Sequence, residues 1–255
     1  MPLTLTPLTG IPLIRNGDYL PDIIWNALLN NQIELLENDI LVITQKIVSK
    51  AEGQLINLSE VQASQRAIEI SKISKKDPRL IELILQESKE FLRVTESHLI
   101  VEHRLGFVCA NAGIDHSNVY SDEGKQEDCF LLLPKNPDLS ARKIKQKLEE
   151  KALITIGILI IDSHGRAWRN GIIGTAIGVA GLPALIDLRG KEDLFGFKLR
   201  ITQIAVADEL ASAASLMMGQ ANEKLPVVHV RGFPYPLRES SIKELIRPKE
   251  KDLFR

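Results

Sequence analysis

The hydrophobic pattern changes period several times along the chain, and each change marks an element. Leu20, Ile23, Ile24, Ala27 and Leu28 recur at helical spacing behind Asp18, a good N-cap, and Asn30-Asn31 ends the run. Ile40-Leu41-Val42-Ile43, introduced by Asn38-Asp39, is short and β-branched and reads as a buried strand. A second short strand is expected around Leu55 to Leu58. From about Ser59 to Leu92 the spacing predicts helix throughout, with Asp77-Pro78 as cap and first-turn proline before the stripe Leu80, Ile81, Ile84, Leu85. His98 to Glu102 and Phe107 to Ala110 read as strands joined by the turn Arg104-Leu105-Gly106. Pro134 to Asp138 is a break, after which Ser140 is expected to cap a charged helix. Ile154 to Ile161 is the clearest strand, closed by Asp162-Ser163-His164-Gly165. The glycines and prolines in and beside Ile172 to Ile186 suggest a packed, turn-rich segment. Leu199 to Ala207 is expected as a strand, then a helix carries Leu210, Ala213, Ala214, Leu216 and Met217 and stops at Gly219. Val227 to Val230 reads as one more strand.

Strands and helices alternate without a regular βαβ beat, so the expected class is α/β in the mixed α+β sense, not a doubly wound sheet. The 255 residues fit a single unit over 1–255 with no separate module, and the helical segment at about 59–96 leaves room for two lobes. With 44% hydrophobic and 25% charged residues the chain is of ordinary globular composition, and its net charge of −1 favours neither nucleic acid nor a membrane surface. Arg142, Lys143, Lys145 and Lys147 are followed by Glu149 and Glu150, the signature of a solvated helix face. Cys109 and Cys129 form no CxxC pair, which fits a reducing compartment. The start Met1-Pro2-Leu3-Thr4 lacks a basic region followed by an apolar core, and the apolar run Ala152 to Ile161 is too short to span a bilayer, so the cytoplasm is expected.

Four segments hold more polar residues at strand ends than folding requires. In Asp162-Ser163-His164-Gly165-Arg166 a carboxylate past a strand end, beside a hydroxyl, suits Mg2+ or Mn2+; equally, Asp162 caps a turn and pairs with Arg166. In Asn111 to Asn118, Asp115 and Asn118 sit three apart and could face one ligand, or form an Asx-turn. His116 and His164 have no partner at a metal-ligand spacing and read as surface or satisfied histidines. Thr44 to Gly53 follows a strand with Gln45, Lys46 and Lys50, which could hold phosphate oxygens or simply be solvated; neither GxxxxGK[ST] nor GxGxxG is present. Gly10-Ile11-Pro12-Leu13 and Met218-Gly219-Gln220-Ala221-Asn222 would expose backbone donors and acceptors, or be plain punctuation.

Taken in order, Gly10-Ile11-Pro12, Gln45 to Gly53, Asn111 to Asn118, Asp162 to Arg166, Val206-Ala207-Asp208-Glu209 and Met218-Gly219-Gln220 resemble the coenzyme F420-0:L-glutamate ligase family, from about Leu8 to Gly232. The resemblance implies an unusual two-lobed fold forming an intertwined homodimer. It implies a GTP-dependent ligase that activates the carboxylate of a deazaflavin precursor as an acyl phosphate and joins L-glutamate to it. By motif, Lys50, Asp115 and Asp162 would be catalytic. Asp115 and Asp162 would hold one divalent cation, Ser163 and Gln220 a second, and a monovalent cation is allowed beside them. Gln220 can be glutamate in relatives, and its neutral amide is the weaker ligand. Gly10, Ile11, Pro12, Leu13, Gln45, Lys46, Lys50, Asn118, Met218, Gly219, Gln220, Ala221 and Asn222 would line the nucleotide. The competing readings are the same chemistry on another acid or amino acid, a nucleotide-binding protein without turnover, and a metal-dependent nucleotide hydrolase.

Overall fold

The computed structural model describes residues 2–119 and 128–252. Its centre is a five-stranded mixed sheet made of β1 (Thr4–Pro7), β2 (Ile40–Thr44), β8 (Gly157–Arg166), β9 (Arg169–Ala180) and β12 (Val227–Arg231), in the order β1-β12-β2-β8-β9. Only β2 and β8 run parallel; the other neighbours are antiparallel. The fold is thus α/β of the mixed kind that the pattern predicts.

The period of two sorts the side chains of β2, β8 and β12 between two cores, and a bulge opposite Ile160-Ile161 lets β9 place Ile177 and Val179 on opposite faces. Leu41, Ile43, Ile158, Ile160 and Ile177 face one side, where helices α1 (Leu20–Asn30) and α5 (Pro137–Ala152) bury Ile24, Leu28, Ile144 and Leu148. Ile40, Val42, Leu159, Ile161 and Val179 face the other, under helix α6 (Val206–Met218) with Leu210, Ala211 and Ala214. Each fully buried aliphatic side chain contributes roughly 1.5–3 kcal/mol. A third, smaller core joins α3 (Gln65–Ser74) and α4 (Pro78–Glu87) to the sheet β4 (Ser88–Val94), β5 (Leu99–His103) and β6 (Val108–Ala110), with Ile81, Ile84, Leu99 and Val101 at its centre. The remaining elements are α2 (Gln45–Ala51), the pair β3 (Leu55–Asn57) and β7 (Cys129–Leu131), and the short pair β10 (Ile186–Asp187) and β11 (Gln203–Ile204). Among the described residues no helix is long and apolar enough to cross a membrane.

Several local expectations are corrected. Tyr19, not Asp18, is the N-cap of α1; the Asp18 carboxylate instead accepts the amide of Arg15 at 2.7 Å and shapes the loop before it. Asn136 caps α5 through the amide of Leu139, and Ser140 lies one turn inside, donating to Glu52. The helical run from Ser59 is interrupted at 61–64 and ends at Glu87, because Ser88–Val94 finds an antiparallel partner in β5. Of Leu199 to Ala207 only Gln203–Ile204 is strand, and α6 already begins at Val206.

The largest correction concerns β9. Gly174 and Gly178 do not make turns; they let helices approach the sheet. A Cβ at Gly174 would come within 2.3 Å of the Ala211 carbonyl in α6, and one at Gly178 within 2.5 Å of Pro137 in α5. Pairing with β9 also extends β8 to Arg166, so Asp162 lies within a strand rather than past its end.

Candidate active site

The site forms at the carboxyl ends of the two parallel strands, where open sheets with parallel pairs commonly bind ligands. Pairing of β8 with β2 stops at Ile161 opposite Thr44. Beyond that point β8 keeps only β9 as its paired strand, and its burial falls away after Asp162. The sequence turns polar there because the strand has left the core.

Thr44 starts α2, its hydroxyl accepting the amide of Lys46. The stretch after β2 is therefore a helix, with Lys46 and Lys50 on its half-exposed side and Gln45 turned inward. Gln45 is fully buried and held at both ends of its amide: Ser49 Oγ donates to its Oε1 at 2.8 Å, and its Nε2 donates to Asp115 Oδ2 at 2.6 Å. Lys46 Nζ lies 3.3 Å from the same carboxylate oxygen and donates to the Ser117 carbonyl and hydroxyl, each at 3.0 Å. Lys50 Nζ donates to the Asn118 carbonyl at 2.7 Å, and Asn118 Nδ2 donates to the Ala221 carbonyl at 2.9 Å. Asn118 thus links α2 to the loop after α6, from its left-handed backbone conformation with φ of 55°.

A second chain of contacts runs along β8. His164 Nε2 donates to Asp162 Oδ2 at 3.0 Å, and its ring packs on Phe107 with centroids 5.3 Å apart. Asp162 does not pair with Arg166, which donates to the Asn170 carbonyl. Ser163 Oγ donates to Gln220 Oε1 at 2.9 Å, and Gln220 Nε2 donates to Ser215 Oγ at 2.9 Å. That second bond turns the carbonyl end of Gln220 toward Ser163.

The electrostatics show groups of like charge held together. Burial, and then the charge of Asp162, push the Asp115 carboxyl up to about 6. Burial, and then the neighbouring Lys46, lower the Lys50 ammonium; Asp115 opposes that shift. Among the described residues no cluster of three or more His, Cys, Asp or Glu side chains suits a metal ion. The four residues expected to hold cations offer oxygen donors only, two carboxylates, a hydroxyl and an amide carbonyl, and the Asp115–Asp162 repulsion is what a cation between them would relieve.

Not every expected residue joins this arrangement through a contact. Gly10-Ile11-Pro12-Leu13 emerges at the same end of the sheet, since Leu8 and Thr44 donate to the carbonyls of Val227 and Pro226. No described hydrogen bond or ion pair ties these four to the other site residues; Ile11 packs on the core and Leu13 is 80% exposed. The Met218 side chain is buried under α6, which leaves only its backbone to face a ligand, and Asn222 is exposed. Sequence reasoning overlooked Ser117 and the wall residue Phe107, and missed that Gln45 positions Asp115. Two lysines at i and i+4 on one helix repel, a signal legible once that stretch is taken as helical.

Comparison with known proteins places the chain among the amide-forming acid–amino-acid ligases. The chain belongs to the F420-0:Gamma-glutamyl ligase family, whose sequence model matches residues 10–232. It is 46% identical, over the whole of both chains, to the coenzyme F420:L-glutamate ligase of Methanothermobacter thermautotrophicus. The enzyme of the same name from Methanocaldococcus jannaschii is 44% identical over 96% of this chain and 94% of its own. That from Archaeoglobus fulgidus is 37% identical over 100% of this chain and 97% of its own.

Proposed function

We propose that this protein joins L-glutamate by an amide bond to the carboxylate of coenzyme F420-0, a deazaflavin, after GTP converts that carboxylate to an acyl phosphate. The observation that carries the nucleotide reading is the pairing of two mutually repelling cations, Lys46 and Lys50, with two mutually repelling carboxylates, Asp115 and Asp162. A triphosphate carrying a divalent cation is the ligand that relieves both. The relatives' printed names support the acid and the amino acid.

The chemistry follows from leaving groups. A carboxylate is a poor acyl donor because it would have to expel oxide. Its oxygen attacks the γ-phosphorus, the bond to the β–γ bridging oxygen breaks, and GDP departs. The glutamate amine then attacks the acyl carbon, the bond to phosphate breaks, and the amine's proton is lost. Phosphoryl transfer depends on positioning and charge neutralisation. In this reading Lys46 and Lys50 hold phosphate oxygens, the Asn118 bridge keeps Lys50 against the loop after α6, and Gln45 fixes the Asp115 carboxylate. Divalent Mg2+ or Mn2+ bound by Asp115 and Asp162 would neutralise charge on the phosphates, with Ser163 and Gln220 as a second, weaker oxygen pair. His164 orients Asp162 through its hydrogen bond.

A second copy of the chain completes the proposal. The segment between β10 and β11 exposes Leu194, Phe195 and Ile201 by 96%, 93% and 87%, an apolar arm of the kind that partners cover. The test of function is incubation with F420-0, glutamate, GTP and Mn2+. A product heavier by one glutamyl unit, formed only with nucleotide, is expected. Nucleotide hydrolysis without that product would overturn the reading in favour of a hydrolase. Asp162→Asn is expected to lower turnover by about a thousandfold or more while keeping the melting temperature, since several kcal/mol of barrier depend on a bound cation.

A further inference from the structure

A cavity of about 200 Å³ lies beside the reaction centre and holds none of the nucleotide or cation residues. Three of its lining residues tie it to that centre. Phe107 packs on the His164 ring, Thr175 is the cross-strand partner of Asp162, and Asp208 senses the charge of His164. The opposite wall is the C-terminal segment that follows β12, with Ile242, Leu245 and Arg247.

Its lining carries charges of both signs. Asp208 Oδ1 accepts the Ala176 amide at 2.9 Å, and no other hydrogen bond to this carboxyl occurs among the described residues. Burial raises its affinity for a proton, and no lysine or arginine among the described residues pairs with it. Arg247 is exposed and forms no hydrogen bond or ion pair among the described residues. Asp252, the other acid on the rim, is already engaged. A largely apolar cleft whose lining carries a half-buried carboxylate and a free guanidinium fits a small zwitterion with methylenes between its charges.

We propose that this cavity is the binding site for the incoming glutamate, with its α-ammonium group on Asp208 and a carboxylate on Arg247. The inference rests on the ligase reading above. The orientation follows from the reaction: the amine must reach the acyl carbon, and Asp208 is the lining charge that interacts with His164, the hydrogen-bond partner of Asp162. Val206-Ala207-Asp208-Glu209, a motif with no place in the nucleotide or cation site, thereby acquires a role.

The test compares wild type with Arg247→Gln and Asp208→Asn, the latter retaining an oxygen for the Ala176 amide. Each variant is expected to raise the KM for glutamate about tenfold or more, the effect of losing a charge-assisted contact, while the KM values for GTP and F420-0 stay within twofold of wild type. Calorimetric titration of L-glutamate into the folded proteins gives a readout that needs no turnover, and binding should weaken by the same factor. Ligation by wild type with glutamate KM and affinity unchanged in both variants overturns the assignment and leaves the ligase reading intact. Binding of glutamate that weakens in the variants, without ligation by any form, would sink the ligase reading and keep the site.

Discussion

At the scale of single residues, two aspartates make opposite demands on pH. Asp115, held up to about 6 by burial and by Asp162, keeps its proton in the folded chain over an interval in which the unfolded chain has lost it. The stability of the metal-free protein should therefore fall as pH rises from about 4 to about 6. Cation binding runs the other way, because it needs the carboxylate. Mn2+ affinity measured by calorimetry is expected to be about tenfold weaker at about pH 5 than at about pH 7.5, and Asp115→Asn should abolish that difference along with most of the affinity. Asp39, at the opposite end of β2, behaves in reverse. Burial would raise its pKa, but His229 at 2.8 Å, Arg231 at 2.7 and 3.0 Å and the Leu36 amide hold it down to about 2. Its contribution is present above about pH 4 and lost as pH falls toward about 2. Asp39→Ala, which leaves Arg231 and His229 without their carboxylate, should cost on the order of 3 kcal/mol in chemical denaturation.

At the scale of elements, what was readable in the sequence divides by cause. Ile40–Thr44 is legible because a strand buried on both faces is close to continuously apolar, and Val227–Arg231 through its three valines around the buried His229. Helix α4 is legible through its cap and stripe; of α6 the end at Gly219 is legible, but Leu216 and Met217, read as part of its apolar set, are exposed, while Ala211 and Met218 are buried. The strand β9 is not, because Gly174 and Gly178 serve the helices lying on it and not its own backbone. Gly174→Ala puts a methyl group against the Ala211 carbonyl, so α6 must shift. A loss of about 1–3 kcal/mol is expected, seen as a lower melting temperature. Activity should fall as well, because Ser215 and Gln220 ride on that helix and the loop after it. The site was legible only in part for a similar reason. Each of its segments has a plain local explanation, and the approach of Asp115 to Asp162, or of Lys50 to Asn118, is set by long-range packing that no local period encodes. Motif order, not spacing, singled those residues out.

At the scale of the whole molecule, the apolar arm between β10 and β11 bears on assembly. Sedimentation should give about twice the 28.4 kDa of one chain. Replacing Leu194 and Phe195 by serine should yield a folded monomer, since neither side chain supports a core in its own chain. A wild-type monomer at micromolar concentration would refute the arm's role.

The sheet order also constrains the protein's birth. With β12 lodged between β1 and β2, the first strand has no hydrogen-bonded neighbour until Val227–Arg231 leaves the ribosome. Nascent polypeptide must carry β1 unpaired until β12 has been made, and a product terminated before β12 leaves two raw sheet edges for chaperones or proteases to recognise.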